Sequence, residues 1–261
     1  MLAPNPSVLT GAGTNTYLVG DGAELLCIDP GPDDAGHLEA VLAAASAGGG
    51  RIARILLSHS HSDHRPLARA LAARTGATVH AMEPERADDG ALPLADGERV
   101  RTGDVALEVI ATPGHAADHL CFFEPDGRVL YSGDHILGGM TSVVSPPDGD
   151  MAAYMASLDR VRALRPRVIH PGHGPRIDDA MAVVEEYLAH RRSREAEVEH
   201  AVRERGGLVA PVEVVPKIYA AYPEALHAAA ARSVEAHLDK LAAEGRAVRV
   251  VVDGSPRYRI P

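Results

Sequence analysis

Residues 58–64 read SHSHSDH, which places three histidines and an aspartate within seven positions. Neutral imidazole is the commonest metal ligand in proteins, and a carboxylate adds a hard oxygen donor. The segment follows the apolar run ARILL, so we expect its side chains to converge in the loop at the end of a strand. Histidine clusters can be inert and solvated, yet four ligand-type residues at one strand end have few other uses. We therefore interpret them as metal ligands: His59, His61, Asp63 and His64.

Three later segments each place one ligand-type side chain beside glycine at the end of a strand-like run. These segments are TPGH, SGD and PGHG, and their ligand-type residues are His115, Asp134 and His173. Glycine permits tight turns and a close approach of the backbone to a site. Seven candidate ligands suffice for two metal ions, although spacing alone does not say which residue binds which ion.

Strands and helices that could position these loops alternate along the chain to about residue 125. Short apolar runs bounded by turn residues predict strands, and alanine-rich stretches between them predict helices. The predicted strands include NTYLVG, ELLCIDPG, RIARILLS and ATVHAM, and the predicted helices are HLEAVLAAAS and RPLARALAAR. Further strands follow in VALEVIATPGH, HLCFFEPDGRVLYSGD and RVIHPGHG, the middle segment turning at Pro125, Asp126 and Gly127. A helix is predicted over DMAAYMASLDRVRAL, with core positions at Met151, Tyr154, Met155 and Leu158.

The character of the chain changes after Gly174. A long charged helix is predicted over AMAVVEEYLAHRRSREAEVEHAVRE, ended by Gly206 and Gly207. Two helices are predicted over PVEVVPKIYAAY and PEALHAAAARSVEAHLDKLAAEG, and a closing hairpin turns near Asp253 and Gly254. One face of the second helix carries Val234, Leu238 and Leu241. We place a catalytic domain at residues 1–190 and a winged-helix-like domain at residues 191–261.

The series HxHxDH, TPGH, GD and PGHG, in this order, resembles the metallo-β-lactamase-fold hydrolases from about residue 15 to residue 173. The resemblance implies an α/β fold, an αββα sandwich with the metals at one edge of the sheets, and here a winged-helix-like module follows it. No ligand of the family pattern is missing. The resemblance also implies how the metals are held: His59, His61 and His115 on one ion, Asp63, His64 and His173 on the other, and Asp134 bridging the two.

Within that superfamily, three features look like the branch of the mitochondrial β-lactamase-like endoribonuclease and its bacterial relatives. They are TPGHAADH at 112–119, YSGDHILGG at 131–139 and the module after Arg191. The resemblance implies hydrolysis in which a hydroxide held by two metal ions attacks a phosphodiester, single-stranded RNA among the candidates. Zinc fits the histidine-rich ligand set, and manganese and iron are the alternatives.

Catalytic and supporting roles follow from the same resemblance. Asp63 is expected both to ligate an ion and to orient the hydroxide. Asp29, in CIDPG, matches an acidic residue behind the metal ligands, where a carboxylate fixes the tautomer of a ligating imidazole; the alternative is an aspartate that opens a Pro-Gly turn. His119 is a candidate catalytic proton donor, with a supporting or purely structural role as the alternatives. His135, beside Asp134, is expected to be buried.

Other functions remain open at this point. Acyl thioester hydrolases share these ligands, although glyoxalase II itself fits less well because its C-terminal domain is helical. Lactam-cleaving members usually lack the bridging aspartate, so Asp134 argues against antibiotic hydrolysis. A metal-sensing DNA-binding regulator is the third alternative, but the alanine-rich second helix of the module offers few groups to read a major groove, so specific DNA binding is not favoured.

Charge and composition restrict the partners. The formal net charge is −10 and aromatic residues make up only 3% of the chain, so a nucleic acid would need a local basic surface. Two stretches could supply one, RVRALRPR at 160–167 and HRRSRE at 190–195. The alternative is that these arginines form solvated helix faces paired with neighbouring glutamates. We expect a small molecule or single-stranded RNA as substrate; the oligomeric state is open, a homodimer among the alternatives.

Compartment and redox state follow from simple patterns. No apolar run approaches the roughly 20 residues of a membrane helix, and the start MLAPNPSVLT lacks the features of a signal peptide. We therefore expect a cytoplasmic protein with no membrane partner. Cys27 and Cys121 lie in apolar runs without metal-type spacing, which favours small buried hydrophobes over a disulfide.

Overall fold

Two mixed sheets lie face to face in the computed structural model, which describes residues 1–20, 22–87, 90–221 and 223–261. From edge to edge, the first sheet contains β1 (Tyr17–Val19), β2 (Glu24–Ile28), β3 (Arg51–Leu56), β4 (Thr78–Ala81) and β5 (Leu92–Pro93). β1 pairs antiparallel with β2, and the other neighbours are parallel. The sheet therefore directs the ends of β2 and β3 toward the same edge.

The second sheet keeps its strands in chain order: β6 (Arg99–Thr102), β7 (Val105–Ala111), β8 (Leu120–Glu124), β9 (Val129–Gly133) and β10 (Val168–Pro171). Only β9 and β10 pair in parallel, because a crossover that includes a helix joins them. The predicted turn at 125–127 lies between β8 and β9 and is confirmed.

Helices cover the outer face of each sheet, which gives the predicted αββα order. The helices of this sandwich are α1 (Ala35–Ala47), α2 (Leu67–Thr75), the short α3 (Pro84–Ala87), α4 (Met151–Leu164) and α5 (Ala180–Arg205). Successive residues of β3 show the layering, because side chains alternate along a strand. Ile55 packs with Leu71 of α2, whereas Leu56 packs with Phe122 of β8 between the sheets. On the far side, Leu130 of β9 packs against the α4 and α5 core.

Helix boundaries agree with simple capping rules. Asp34, Asp150 and Asp179 each accept a hydrogen bond from a backbone N–H in the first turn of α1, α4 and α5. The core positions predicted for α4 are also confirmed, since three of them are buried and Met155 is half-buried against the same core. The sequence pattern and the structure therefore agree for α4, which approaches the ligand loops.

The C-terminal unit consists of a 3-10 turn (Pro211–Glu213), α6 (Val215–Ile218), a second 3-10 turn (Glu224–Leu226), α7 (His227–Ala243), β11 (Val248–Val252) and β12 (Ser255–Arg259). The hairpin turn is confirmed: Asp253 and Gly254 both have positive φ, as a two-residue hairpin turn requires. The apolar face predicted for α7 is buried. The helix expected over PVEVVPKIYAAY is mostly 3-10 and turn, because Pro211 and Pro216 lack the N–H that a continuing helix needs; Tyr222 of that segment lies outside the described residues.

The long helix α5 belongs to both cores. Leu188 packs with α4, whereas Val198 packs with the C-terminal unit. The domain boundary between residues 190 and 191 falls within this continuous helix and stays a prediction. Both cysteines are buried and free, as expected. Across the described ranges, no helix is long and apolar enough to cross a membrane.

Candidate metal centre

The seven predicted ligands lie at one end of the two sheets. The 58–64 segment follows β3, His115 follows β7, Asp134 follows β9 and His173 follows β10. Because Pro171 of β10 is in register with Gly133 of β9, the last two loops leave the sheet side by side. Ligand-type atoms lie within 4.8 Å of one another in three groups: His59, His61 and His115; His59, His64 and Asp134; Asp63, His64 and His173.

Asp134 lies between the two sets of side chains that the resemblance assigns to separate ions. Its Oδ2 is 3.6 Å from Nε2 of His115 and 3.3 Å from Nε2 of His173, and its Oδ1 is 3.3 Å from Nε2 of His64. Asp63 Oδ2 lies 3.1 Å from Nε2 of His173 and 3.4 Å from Nε2 of His64. The geometry therefore brings all seven residues together and puts Asp134 at the centre.

A hydrogen-bond chain decides which nitrogen of His59 faces the cluster. Ser58 Oγ lies 2.6 Å from Asp29 Oδ2 and donates its proton there. The same Oγ is 2.9 Å from His59 Nδ1, so it must accept the Nδ1 proton. Nε2 of His59 is then the unprotonated nitrogen, and it points into the cluster. Ser58 is thus more than a spacer in the opening motif.

The other histidines are fixed in the same way from outside the cluster. Nδ1 of His64 lies 3.0 Å from Asp29 Oδ2. Nδ1 of His115 lies 2.6 Å from the carbonyl oxygen of Val143, and Nδ1 of His173 lies 3.1 Å from that of Gly13. Each acceptor holds a ring proton on the far side, which leaves Nε2 free toward the centre.

His61 presents the opposite nitrogen. Its Nε2 lies 3.3 Å from Asp148 Oδ2, and its Nδ1 lies 3.1 Å from Nε2 of His115. Arg86 donates to Asp148 Oδ1 at 2.7 Å and also lies 3.6 Å from Asp118. A loop carboxylate and an arginine of the short helix α3 therefore hold His61 in place.

The charges of the cluster are strongly coupled. Burial lowers the pKa of His59 well below its usual range. Burial opposes protonation of His64 as well, but the carboxylates of Asp134 and Asp29 raise its pKa well above the ordinary value. Burial likewise opposes protonation of His173, but hydrogen bonds with Asp134 and Asp63 raise its pKa to about 9. The carboxylates of the cluster thus favour positive charge beside His64 and His173.

The donor set fits divalent metal ions. Within the seven predicted ligands, three buried side-chain atoms lack a hydrogen-bond partner among the described residues, namely Nε2 of His59, Nε2 of His64 and Oδ1 of Asp134. Buried polar atoms are costly when unpaired, and these three face one another instead of water. Imidazole nitrogens with carboxylate oxygens are the ligands that zinc and iron use in proteins.

His119 is placed behind Asp134. It is fully buried, its Nδ1 lies 2.8 Å from Thr112 Oγ1, and its Nε2 accepts the backbone N–H of Asp134 at 3.1 Å. Gly133 keeps room for this contact, because a Cβ there would lie 2.8 Å from Nε2 of His119. The geometry favours a supporting role over proton donation. His135 is buried, as expected.

The two basic stretches lie in different places. Arg167 precedes β10, whereas His173 follows it, so the end of the 160–167 stretch lies at the sheet end away from the ligands. Arg160 pairs with Asp96 and Arg162 pairs with Asp159, as solvated helix faces do. The 190–195 stretch borders a groove that Val143 also lines.

Several residues that hold the ligand histidines in place were not predicted from the sequence. The carbonyl oxygens of Gly13 and Val143 carry no signal in residue type, because any residue provides one. Asp148 lies in SPPDGD, a segment that resembles an ordinary turn. Its distance of 87 positions from His61 offers no local pattern that would connect them.

Comparison with known proteins agrees with this geometry. The family described as the metallo-beta-lactamase superfamily matches residues 9–173, more than half of the chain. The chain belongs to the metallo-β-lactamase superfamily. This family consists of metal-dependent hydrolases, and the chain is a hydrolase of that family. The family described as the beta-lactamase associated winged helix domain matches residues 211–254, which confirms the nature of the C-terminal unit.

Individual relatives of this superfamily member extend over most of its length. It is 33% identical over 253 residues to the beta-lactamase-like protein 2 homolog of Caenorhabditis elegans, covering 94% of this chain and 84% of the relative. A metallo-beta-lactamase family protein from Thermus thermophilus, TTHA1429, is 23% identical and shares the fold with a TM-score of 0.83, over 100% and 97% of the two chains. TTHA1623, solved in a di-iron-bound form, is 28% identical with a TM-score of 0.57, over 67% and 93%.

Proposed function

We propose that this metallo-β-lactamase-superfamily hydrolase cleaves phosphodiesters, single-stranded RNA among them, with two divalent metal ions held by its seven clustered residues. One observation carries the metal-dependent part. Five histidines have one ring nitrogen each held by an outer partner, and the other nitrogens converge in one cluster that includes Asp134. Such outer partners orient metal ligands and raise their basicity.

The ligands divide into two sets in this proposal. His59, His61 and His115 would hold one ion, Asp63, His64 and His173 would hold the other, and Asp134 would be a ligand of both. When bound, such ions would lower the pKa of a water molecule and stabilise negative charge on the substrate. Zinc is our proposal for the native metal, and the di-iron-bound form of TTHA1623 supports iron as the alternative.

We assign different roles to the carboxylates of Asp63 and Asp134. The Asp63 side chain is 27% exposed and that of Asp134 is 10% exposed, so Asp63 is the one that the substrate side can reach. Asp63 orients the attacking water, while Asp134 fixes the spacing of the two ligand sets. His119 holds the backbone N–H of Asp134 and so positions that carboxylate; both its ring nitrogens are occupied, which argues against its donating a proton to the leaving group.

The phosphodiester part depends on the 190–195 stretch. His190, Arg191 and Arg194 line a groove that Val143 shares, and the carbonyl oxygen of Val143 holds His115. Guanidinium groups suit phosphate because they are planar and carry several donors. In a chain of net charge −10, cations next to the metal centre supply the local attraction that an anionic substrate needs.

An acyl thioester is the second candidate substrate, and a separate observation favours it. The same groove has apolar walls that include Val8, Leu9 and Leu226, and an acyl chain would bury them. Both candidates use the same ligands and the same attack by water. They differ in the electrophile, phosphorus or carbonyl carbon, and in the leaving group.

Direct assays distinguish the two candidates. Metal-loaded protein is incubated with end-labelled single-stranded RNA and, separately, with acyl-coenzyme A thioesters, each beside the Asp63→Ala variant. We expect RNA cleavage that the variant lacks, with thioesters unchanged. Thioester hydrolysis with intact RNA would replace the first candidate by the second, and no hydrolysis of either would remove both.

A further inference from the structure

A groove of about 230 Å³ lies between the sandwich, the N-terminal loop and the C-terminal unit. Its walls come from Val8 and Leu9, from the 141–143 segment after β9, from α5 and from the start of α7. Helix and loop thus meet from different parts of the chain at one concave surface. Small-molecule sites form preferentially at such junctions.

Large apolar side chains that are exposed to solvent lie around the groove. Val8 and Leu9 are 87% and 63% exposed, and Val143 and Leu226 are also exposed. Single exposed apolar residues are ordinary, but four around one concavity form a patch. The patch is suited to an alkyl or aryl group.

Positive charge lies in the same groove. Arg191 is only 4% exposed, donates to the carbonyl oxygen of Ser142 and lies 5.0 Å from the ring centroid of Tyr154. Its Nε has no hydrogen-bond partner among the described residues. Arg194 also lines the groove and pairs with Glu197, whereas none of the described residues that line the groove is acidic. A buried guanidinium with an unpaired donor favours an anionic occupant.

Two residues lie between the groove and the metal centre. Ser142 and Val143 line it, while Ser142 Oγ donates to the carbonyl oxygen of Asp134 at 2.5 Å and the carbonyl oxygen of Val143 lies 2.6 Å from Nδ1 of His115. One short segment therefore separates the groove from two ligand-type residues. A molecule in the groove therefore contacts the segment that holds Asp134 and His115 in place.

We propose that this groove is a binding site for an amphiphilic organic anion, with its alkyl or aryl group against Val143 and Leu226 and its anionic group against Arg194 and Arg191. The inference rests on the proposed function in one respect: the bound molecule is the part of the substrate that lies next to the cleaved bond. Phosphodiesters with one apolar, anionic flank are thus the substrates that the groove favours. An unmodified polynucleotide lacks the apolar group and uses only the arginines.

The test uses two fluorescent probes that share their rings and differ in charge. 8-Anilinonaphthalene-1-sulfonate carries a sulfonate, and N-phenyl-1-naphthylamine does not. Both are titrated into the full chain and into Val143→Asp, Arg194→Leu and the matched control Val251→Asp, whose residue is exposed on β11. Circular dichroism verifies that each variant is folded.

We expect Val143→Asp to weaken both probes about tenfold or more and Arg194→Leu to weaken only the sulfonate to that extent. Val251→Asp should bind both like the parent protein. Equal binding by Val143→Asp and Val251→Asp would overturn the proposal, as would equal loss of the two probes in Arg194→Leu. If Val143→Asp instead lowers the mass in sedimentation with unchanged probe binding, the groove is a contact with a second copy and the proposal fails.

A further titration separates this inference from the proposed function. Asp63→Ala removes the proposed water-orienting carboxylate but leaves every groove residue in place. We expect it to bind the sulfonate probe like the parent protein. Unchanged binding without any hydrolysis of phosphodiesters or thioesters by the parent would leave the groove proposal standing and remove the proposed function, whereas hydrolysis without probe binding would do the reverse.

Discussion

Asp148 Oδ2 lies 3.3 Å from His61 Nε2, on the side of the ring away from His115. The second oxygen of Asp148 accepts a hydrogen bond from Arg86 at 2.7 Å, which fixes the carboxylate. The contact makes Nε2 the protonated nitrogen of His61 and leaves Nδ1 for the cluster. A loop that follows β9 therefore sets the orientation of a side chain that follows β3.

Replacement of Asp148 by asparagine should weaken metal binding without unfolding the chain. The amide accepts a weaker hydrogen bond than the carboxylate and loses the ion pair with Arg86. Loss of such an outer partner typically costs about 10-fold to 100-fold in metal affinity. Competition between the protein and a chromogenic chelator measures the change.

Asp126→Asn is the matched control for this experiment, because Asp126 is exposed in the turn between β8 and β9. It should retain the affinity of the parent protein. Equal affinity in Asp148→Asn and the parent would show that the contact with His61 does not support metal binding.

Gly172 should not tolerate a side chain. A Cβ at this position would lie 2.5 Å from Asp134 Oδ1 and 2.9 Å from Cε1 of His64, so Gly172→Ala must displace the central carboxylate. We expect reduced metal content and a loss of stability of about 1–3 kcal/mol, as for other overpacked sites. Elemental analysis and denaturant titration measure both quantities.

Gly22→Ala provides the comparison, because, its chain neighbours aside, no heavy atom of the described residues lies within 4 Å of a Cβ there. Its metal content and unfolding free energy should equal those of the parent. A Gly172→Ala protein with full metal content would mean that Asp134 is not held where the metal requires it.

The sequence predicted the parts of this protein that depend on local pattern. Short apolar runs bounded by turn residues located the strands. The ligand-type residues at their ends could be predicted to meet, because strands that run in the same direction end at the same edge of a sheet. The division between two ions came only from resemblance. The supporting contacts of His61 and His115 could not be found, because they depend on how distant loops pack and, for Val143, on a backbone carbonyl.

The extent of α6 shows a different limit. Apolar periodicity over PVEVVPKIYAAY suited a helix, but the prolines at 211 and 216 leave a 3-10 turn and one short helical turn. Packing compensates, since Val214 and Val215 are buried in the core that α7 and the hairpin complete. Tertiary burial, and not helix propensity, therefore holds this segment.

His237 should make the stability of the C-terminal unit depend on pH. It is buried, neither ring nitrogen has a partner among the described residues, and burial lowers its pKa to about 3. Four groups add to the shift by repelling a proton: Arg191, Lys240, Arg194 and His190.

The sign follows from proton uptake. Between about pH 6.5 and pH 3 the unfolded chain binds a proton at His237 and the folded chain does not, so stability falls as the pH falls. We expect His237 to contribute a loss of about 2 kcal/mol between pH 7 and pH 5. This pH-dependent loss of stability should be absent in His237→Leu. Urea unfolding curves of the two proteins at each pH measure the difference in their unfolding free energies. Parallel pH profiles for the parent and His237→Leu would contradict the assignment.

Metal stoichiometry is the direct test of a two-ion centre held by these seven residues. Protein purified in the presence of zinc and passed through a desalting column should hold about two ions per chain. The double variant with His59→Ala and His61→Ala should lose about one ion, because the second set of ligands remains. Inductively coupled plasma mass spectrometry gives both numbers. Two ions in the parent and fewer in the variant would support the account, whereas an equal metal content in the two proteins would contradict it.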